Sequence, residues 1–175
     1  MKHVILSLII IIALPALARA QKRDVPRVNF EFGGGMNFAA AKRDAREVNQ
    51  GATLYIEGRY NPAGLPVDAA FQIDISAFIR KWDNGYEKRP RSTKFTIIGD
   101  YNFHRGSLVN PFVGMGIGIA LDEDDFDDHG ASPHPGICLM PRIGLRLLKH
   151  LSITLDYELS RASHNHCDLK MGFYF

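Results

Sequence analysis

The stretch "LSITLDYELS", Leu151 to Ser160, alternates without a break: Leu151, Ile153, Leu155, Tyr157 and Leu159 against Ser152, Thr154, Asp156, Glu158 and Ser160. A period of two residues places the apolar set on one face of an extended strand and the polar set on the other. The same period recurs seven more times. Val28, Phe30, Phe32, Met36 and Phe38 alternate with Asn29, Glu31, Gly33, Gly35 and Asn37. Leu54, Ile56 and Tyr60 oppose Thr53, Glu57 and Arg59. Val67, Ala69, Phe71, Ile73, Ile75 and Ile79 oppose Asp68, Gln72, Asp74, Ser76 and Arg80. Phe95, Ile97, Tyr101 and Phe103 oppose Lys94, Thr96, Asp100 and Asn102. "NPFVGMGIGIAL" sets Val113, Met115, Ile117, Ile119 and Leu121 against Gly114, Gly116, Gly118 and Ala120. Leu139, Ile143, Leu145 and Leu147 oppose Arg142, Gly144 and Arg146, and "HCDLKMGFYF" carries Cys167, Leu169, Met171, Phe173 and Phe175 on one parity. The pattern predicts an all-β chain, an eight-stranded antiparallel up-and-down meander. Pro141 removes a ladder donor inside the sixth stretch, which predicts a bulge there or a later strand start.

The connections alternate in length. "AAAKRDAREVNQ", "WDNGYEKRPR", "DEDDFDDHGASPHPG" and "RASHN" lie at one end of such a meander, and "PAGLP", "HRGSL" and "KH" at the other. Membrane barrels have this asymmetry, with short periplasmic turns and long external loops.

The start, "MKHVILSLIIIIALPALARAQKRD", has a basic n-region, an apolar stretch and Ala18-Arg19-Ala20 as a cleavage site. It reads as a secretory signal peptide over 1–20, followed by a short periplasmic segment 21–26 and a barrel domain 27–175. Of the 21 basic residues, losing Lys2 and Arg19 leaves 19, against 19 acidic ones. A balanced chain has no basic face for a nucleic acid.

Alternation alone does not say which face is outside. A soluble lipocalin-like barrel points its apolar set inward around a ligand; a membrane barrel points it at lipid, since its backbone groups all pair within the closed sheet. Three features favour lipid. The polar face is rich in Gly, Ser, Thr and Asn, which suit a cramped interior. Its charges are mixed in sign, so that Arg59, Arg80, Lys94, Arg142, Arg146 and Lys170 can pair with Glu31, Glu57, Asp68, Asp74, Asp100, Asp156, Glu158 and Asp168. The runs are about 10 residues, the length of a tilted membrane strand. Aromatics near strand ends (Phe30, Phe38, Tyr60, Tyr101, Phe103, Phe173, Phe175) fit interfacial girdles.

With its "NPFVGMGIGIAL" strand, its alternating loops and its closing "LKMGFYF", the chain resembles the small eight-stranded bacterial outer-membrane β-barrels, the group of the outer-membrane protein A transmembrane domain and its protein X relatives. The resemblance implies the outer membrane of a Gram-negative bacterium. It also implies that Leu169, Met171, Phe173 and Phe175 form the signal read by the barrel assembly machinery. Outer-membrane lipid and lipopolysaccharide are the implied surroundings, with an extracellular ligand or host surface as a further partner and a monomeric state.

A barrel this narrow is filled by side chains, so the inward charges are expected to form a salt-bridged plug, with Arg142 or Arg146 pairing with Asp156 or Glu158 on the next strand. No cofactor and no catalytic constellation are recognisable. Weak metal candidates are Asp122, Asp124, Asp125 and Asp127 with His129, His134, His164 and His166. In an oxidising compartment Cys138 and Cys167 are expected to form a disulfide, although a strand lying between them would put their reach in doubt. The expected function is a non-enzymatic surface-interaction, adhesion or envelope-integrity role. Two alternatives stand beside it: a lipid A-modifying, deacylase-like enzyme built on Ser163, His164 or His166 with Glu158, and a soluble ligand-binding barrel.

Overall fold

The computed structural model describes residues 25–39, 48–81, 87–88, 91–123, 133–148, 150–160 and 165–175. Eight strands follow one another: β1 (Val28–Ala39), β2 (Val48–Tyr60), β3 (Val67–Lys81), β4 (Arg91–Asn102), β5 (Val109–Glu123), β6 (His134–Leu147), β7 (Leu151–Glu158) and β8 (His166–Tyr174). Each pairs antiparallel with its neighbours in sequence. β8 then pairs antiparallel with β1, from Glu31 opposite Tyr174 to Ala39 opposite His166, and the sheet closes on itself. A two-residue ribbon, Glu87–Lys88, extends β3 beyond the ring. The architecture is a closed eight-stranded antiparallel barrel. Closure removes every edge, so backbone groups are satisfied without water.

The three connections 61–66, 103–108 and 148–150 lie at one end, beside Val28 and Phe175, and the strand ends that the longer connections join lie at the other. The short turns need left-handed backbone, which Gly64 (φ 75°) and Gly106 (φ 82°) supply; in the third turn Leu148 takes it at φ 58°.

Polarity is inverted relative to a water-soluble domain. Among the described residues 27 buried side chains are polar or charged and only eight are hydrophobic. The outer wall carries the alternating apolar set, including Phe32, Leu54, Ile97, Ile117, Ile143 and Phe173, all exposed. An exposed apolar belt around a whole cylinder has hydrocarbon, not water, as its solvent. The soluble ligand-binding alternative is thereby corrected: the apolar residues point away from the axis. Six of the aromatics, Phe30, Tyr60, Tyr101, Phe103, Phe173 and Phe175, gather on the outer wall at the short-turn end. There Phe32 meets Phe175 edge-on at 6.1 Å and Tyr101 meets Phe103 at 5.2 Å.

Pro141 produces neither a bulge nor a late start. β6 begins at His134, and its register with β5 runs unbroken from Asp122 opposite His134, through Met115 opposite Pro141, to Val109 opposite Leu147. Leu139 and Leu159 exchange both backbone hydrogen bonds at 2.8 Å across to β7. In an antiparallel ladder the next such pair lies two residues on, at Pro141 and Tyr157. Proline has no N–H to give, so pairing lapses there and resumes at Arg142 opposite Asp156 in the same alignment. The missing donor faces β7 alone, which is why β5 is undisturbed.

Pro141→Val is expected to restore that rung. It should raise stability by about 1 kcal/mol in urea unfolding from lipid, and the new amide should exchange slowly with solvent. Fast exchange together with lost stability would show that the proline is needed for the strand path.

Candidate functional site

The interior is the site with the densest chemistry. Near the short-turn end, the inward positions bring Glu31, Glu57, Asp68 and Asp100 against Arg59, Arg142 and Arg146, and Arg105 reaches in from the 103–108 turn. Asp100 is the hub. Arg142 grips it with two hydrogen bonds, Nε at 2.9 Å and Nη2 at 2.7 Å, while Arg146 Nη2 donates to it at 2.6 Å and Arg59 Nη1 at 2.5 Å. Arg142 also donates to Glu57 at 2.9 Å and to Gln72 at 3.2 Å. Arg59 pairs with Glu57, and Asp68 accepts from Arg146 at 2.9 Å and from Arg105 at 2.7 Å. The Phe112 ring lies under the Arg146 guanidinium, 4.2 Å from its centroid, a cation–π contact. Tyr55 donates to Glu31 at 2.6 Å.

Arg142 sits opposite Asp156 on β7, yet its guanidinium turns the other way and crosses β5 to reach Asp100 on β4. The residue of β5 at that level is Gly114, opposite both Asp100 and Arg142. A Cβ added there would run into the Asp100 carboxylate. The absent side chain is what lets the fork close, and the expected pairing of Arg142 or Arg146 with Asp156 or Glu158 is corrected accordingly. Inside so narrow a cylinder a bridge over a glycine is as short as one to the adjacent strand.

A second cluster lies toward the long connections. Lys94 Nζ meets Glu158 at 2.7 Å, Asp168 at 3.3 Å and Asp74 at 3.5 Å. Lys170 pairs with Asp156 at 2.7 Å and with Asp74. Asp74 also accepts from Thr53 at 2.8 Å and Ser76 at 3.0 Å. Gln72 joins the clusters, accepting from Arg142 and donating to Asp74 at 3.1 Å. Between them one wall is apolar, built from Ala70, Ile98 and Met140.

The expected residues Glu31, Glu57, Arg59, Asp74, Lys94, Asp100, Arg142, Arg146, Asp156, Glu158 and Lys170 all face the lumen, buried. Arg80 is on β3 opposite Asn49, and its side chain lies outside the described residues. Sequence reasoning passed over Arg105, because a turn has no period to place it. Tyr55 was legible, since it shares the parity of Thr53 and Glu57.

The histidines and cysteines do not share one rim. His166 is fully buried in the lumen, with Nε2 3.2 Å from Glu158 and 3.4 Å from Asp168, and its ring meets Phe78 edge-on at 4.8 Å. His134 opens β6, opposite Asp122. Among the described residues no three His, Cys, Asp or Glu side chains are gathered as a metal centre needs. Asp124, Asp125, Asp127, His129 and His164 lie outside the described residues, as do Ser163 and residues 1–24. Glu158 and His166 do meet, but inside the barrel and away from lipid. Both cysteines are free. The disulfide expectation is corrected: Cys138 is buried in the lumen, while Cys167 alternates onto the outer wall beside Phe38 and Tyr157, and β7 separates their strands.

No family model and no curated protein matches the chain. Among solved structures it is similar to Ail, the attachment invasion locus protein of Yersinia pestis, whose structure is in complex with the heparin analogue sucrose octasulfate. The identity is 12% and the TM-score 0.49, over 85% of this chain and 97% of that one. The outer membrane enzyme PagL is similar at 13% identity and TM-score 0.45, over 84% of this chain and 98% of that one.

Arg142→Met is expected to cost about 3–5 kcal/mol of stability in lipid, since it leaves this cluster with one carboxylate more than its arginines can balance in a dry interior. Gly114→Val should be comparably damaging, whereas Gly99→Val, at an outward position with no heavy atom within 4 Å of the added Cβ, should be tolerated. Urea titration of the three variants checks this; an Arg142→Met barrel as stable as the parent would contradict the pairing scheme.

Proposed function

We propose that the chain is a monomeric integral outer-membrane protein of a Gram-negative bacterium, without enzymatic activity, whose long connections 40–47, 82–90, 124–133 and 159–165 act in surface interaction, adhesion or envelope integrity. The observation that carries this reading is the pairing of an apolar outer wall with a lumen filled by ion pairs. The ion pairs that Arg142, Arg146, Lys94 and Lys170 make with their carboxylates fill the middle of the lumen, which supports a plugged barrel in preference to a pore. Activity then belongs to the ends of the barrel, and the larger loops are at one end.

The outward row Leu169, Met171, Phe173 and Phe175, all exposed on β8 and the residue after it, is the surface offered to the barrel assembly machinery. Asp122 is buried in the lumen, so the acidic residues that would meet lipopolysaccharide through its bridging divalent ions are those of 123–128, of which 124–128 lie outside the described residues.

Replacing 40–47 and 124–133 by short turns is expected to leave the protein in the membrane after alkaline carbonate washing. Its heat-modifiable gel shift should also persist, while cells lose their binding to host surfaces or their resistance to envelope stress. Extraction of the parent protein by carbonate would refute the membrane reading. Unchanged binding and resistance in the loop-less barrel would refute the assignment to the loops.

A further inference from the structure

The two ends of the barrel differ in charge. At the short-turn end, among the Asp, Glu, His, Lys and Arg side chains described there, those that reach the surface are all basic. Arg27 and His150 are exposed, and His104 and Arg105 are half-buried. The acidic ones, Glu31, Glu57, Asp68 and Asp100, are buried and matched by arginines. Lys149 lies outside the described residues; in the chain it falls between Leu148 and His150 and adds a further cation. The run 122–128, which follows the long-connection end of β5, carries Asp122, Glu123, Asp124, Asp125, Asp127 and Asp128 instead.

Arg27 is the cation that the fold leaves unspent. Arg59, Arg105, Arg142 and Arg146 all face carboxylates, whereas Arg27 makes no ion pair with the described chain. A cavity of about 490 Å³ opens at this mouth, and Val25, Pro26 and Asn29 line it while Arg27 does not. Arg27 therefore stands on the rim beside the cavity. Its backbone is fixed there, since its carbonyl accepts from Asn61 N–H at 2.7 Å. Phe30 and Phe175 exchange both backbone hydrogen bonds, at 3.0 and 2.9 Å, and Tyr174 N–H donates to the His150 carbonyl at 2.9 Å. The end of β8 is thus held between β1 and β7, with Arg27 on one flank and His150 on the other. Leu148 and Phe175, each 65% exposed, add apolar surface to the same stretch of rim.

Depth decides what these charges meet. Phe30, Tyr60, Tyr101, Phe103, Phe173 and Phe175 are exposed on the outer wall at this end and mark where the hydrocarbon stops. Basic residues just beyond such a girdle stand among lipid headgroups. A guanidinium suits a phosphate in both charge and geometry, and basic residues close to an anionic leaflet add to one another's attraction. We propose that this rim docks anionic phospholipid, with the headgroup phosphate against Arg27 and the 148–150 turn and the acyl chains along Phe175 and the wall above it. The inference rests on the membrane reading given above and adds a lipid class to it.

The test is an NMR titration of the full protein in phosphatidylcholine nanodiscs to which phosphatidylglycerol is added in rising fraction. The Arg27 Nε–H and the backbone amides of Leu148 and His150 are read. Saturable shifts at all three are expected, and glycerophosphate added to discs of phosphatidylcholine alone should move them little. In Arg27→Gln the amides should need about fivefold more phosphatidylglycerol for half of the shift. The variant should keep its thermal stability, because no internal side-chain hydrogen bond is removed. Raised salt should weaken the response of the parent protein in the same direction. The proposal is overturned if the parent shows no saturable shift, or if glycerophosphate does as well as the lipid, which would make this a site for any free anion. An undiminished response in Arg27→Gln, or one indifferent to salt, overturns it equally, and the salt series decides even where the variant fails to fold. The heat-modifiable gel shift of the same discs keeps two failures apart. A folded barrel indifferent to phosphatidylglycerol refutes the lipid site alone, whereas a barrel that does not enter the discs refutes the membrane reading and the lipid site together.

Discussion

A charge placed inside a cylinder of eight strands has almost no water to turn to, so its counter-charge must come from the same wall. Asp100 meets that constraint by collecting three guanidinium groups, from Arg59, Arg142 and Arg146. Asp74, between Lys94 and Lys170, does the same at the other end. Gln72 ties the two centres together. These bonds run across the lumen between strands far apart in sequence, and they fix the barrel's cross-section as a hydrophobic core fixes that of a soluble domain. The glycines of β5 belong to this scheme, since a side chain at Gly114 would occupy the space the Arg142–Asp100 bridge needs.

A polar interior whose charges are paired within it also decides what the wall has to face. With the charges inside, the apolar parity of every strand is turned outward, and a lone lysine or arginine on that side would cost about 2–4 kcal/mol at mid-bilayer. Closure of β8 on β1 leaves no edge for another chain to pair with. The lapse at Pro141 is tolerated because the register on both flanks is held by neighbouring rungs. For partners met in water the two mouths remain, one at the long connections and the other at the short turns with a polar cavity.

Much of this was legible in the residues because a period of two specifies side as well as strand. Ile97 and Ile98 are consecutive and chemically identical, yet parity puts the first outside, 65% exposed, and the second inside, 2% exposed. Parity says nothing about which partner a charge chooses. That choice depends on chords across the lumen, so Arg142 looked destined for Asp156 and goes to Asp100 instead. Nor does parity locate strand ends: Val48, Asp122 and His134 read as loop residues but belong to β2, β5 and β6, because β-pairing continues past the apolar belt. Arg105 had no periodic signal at all, and only the turn's three-dimensional path brings it to Asp68.

The claim on which the rest depends is the direction of the two faces, and the isoleucine pair measures it. Methyl signals of the folded protein in lipid nanodiscs should be recorded with and without a nitroxide attached to a lipid chain. Ile97, Ile117 and Ile143 are predicted to broaden strongly while Ile98 and Met140 stay sharp. Broadening of Ile98 and Met140 to the same degree, or sharp signals from the outward set, would contradict the account.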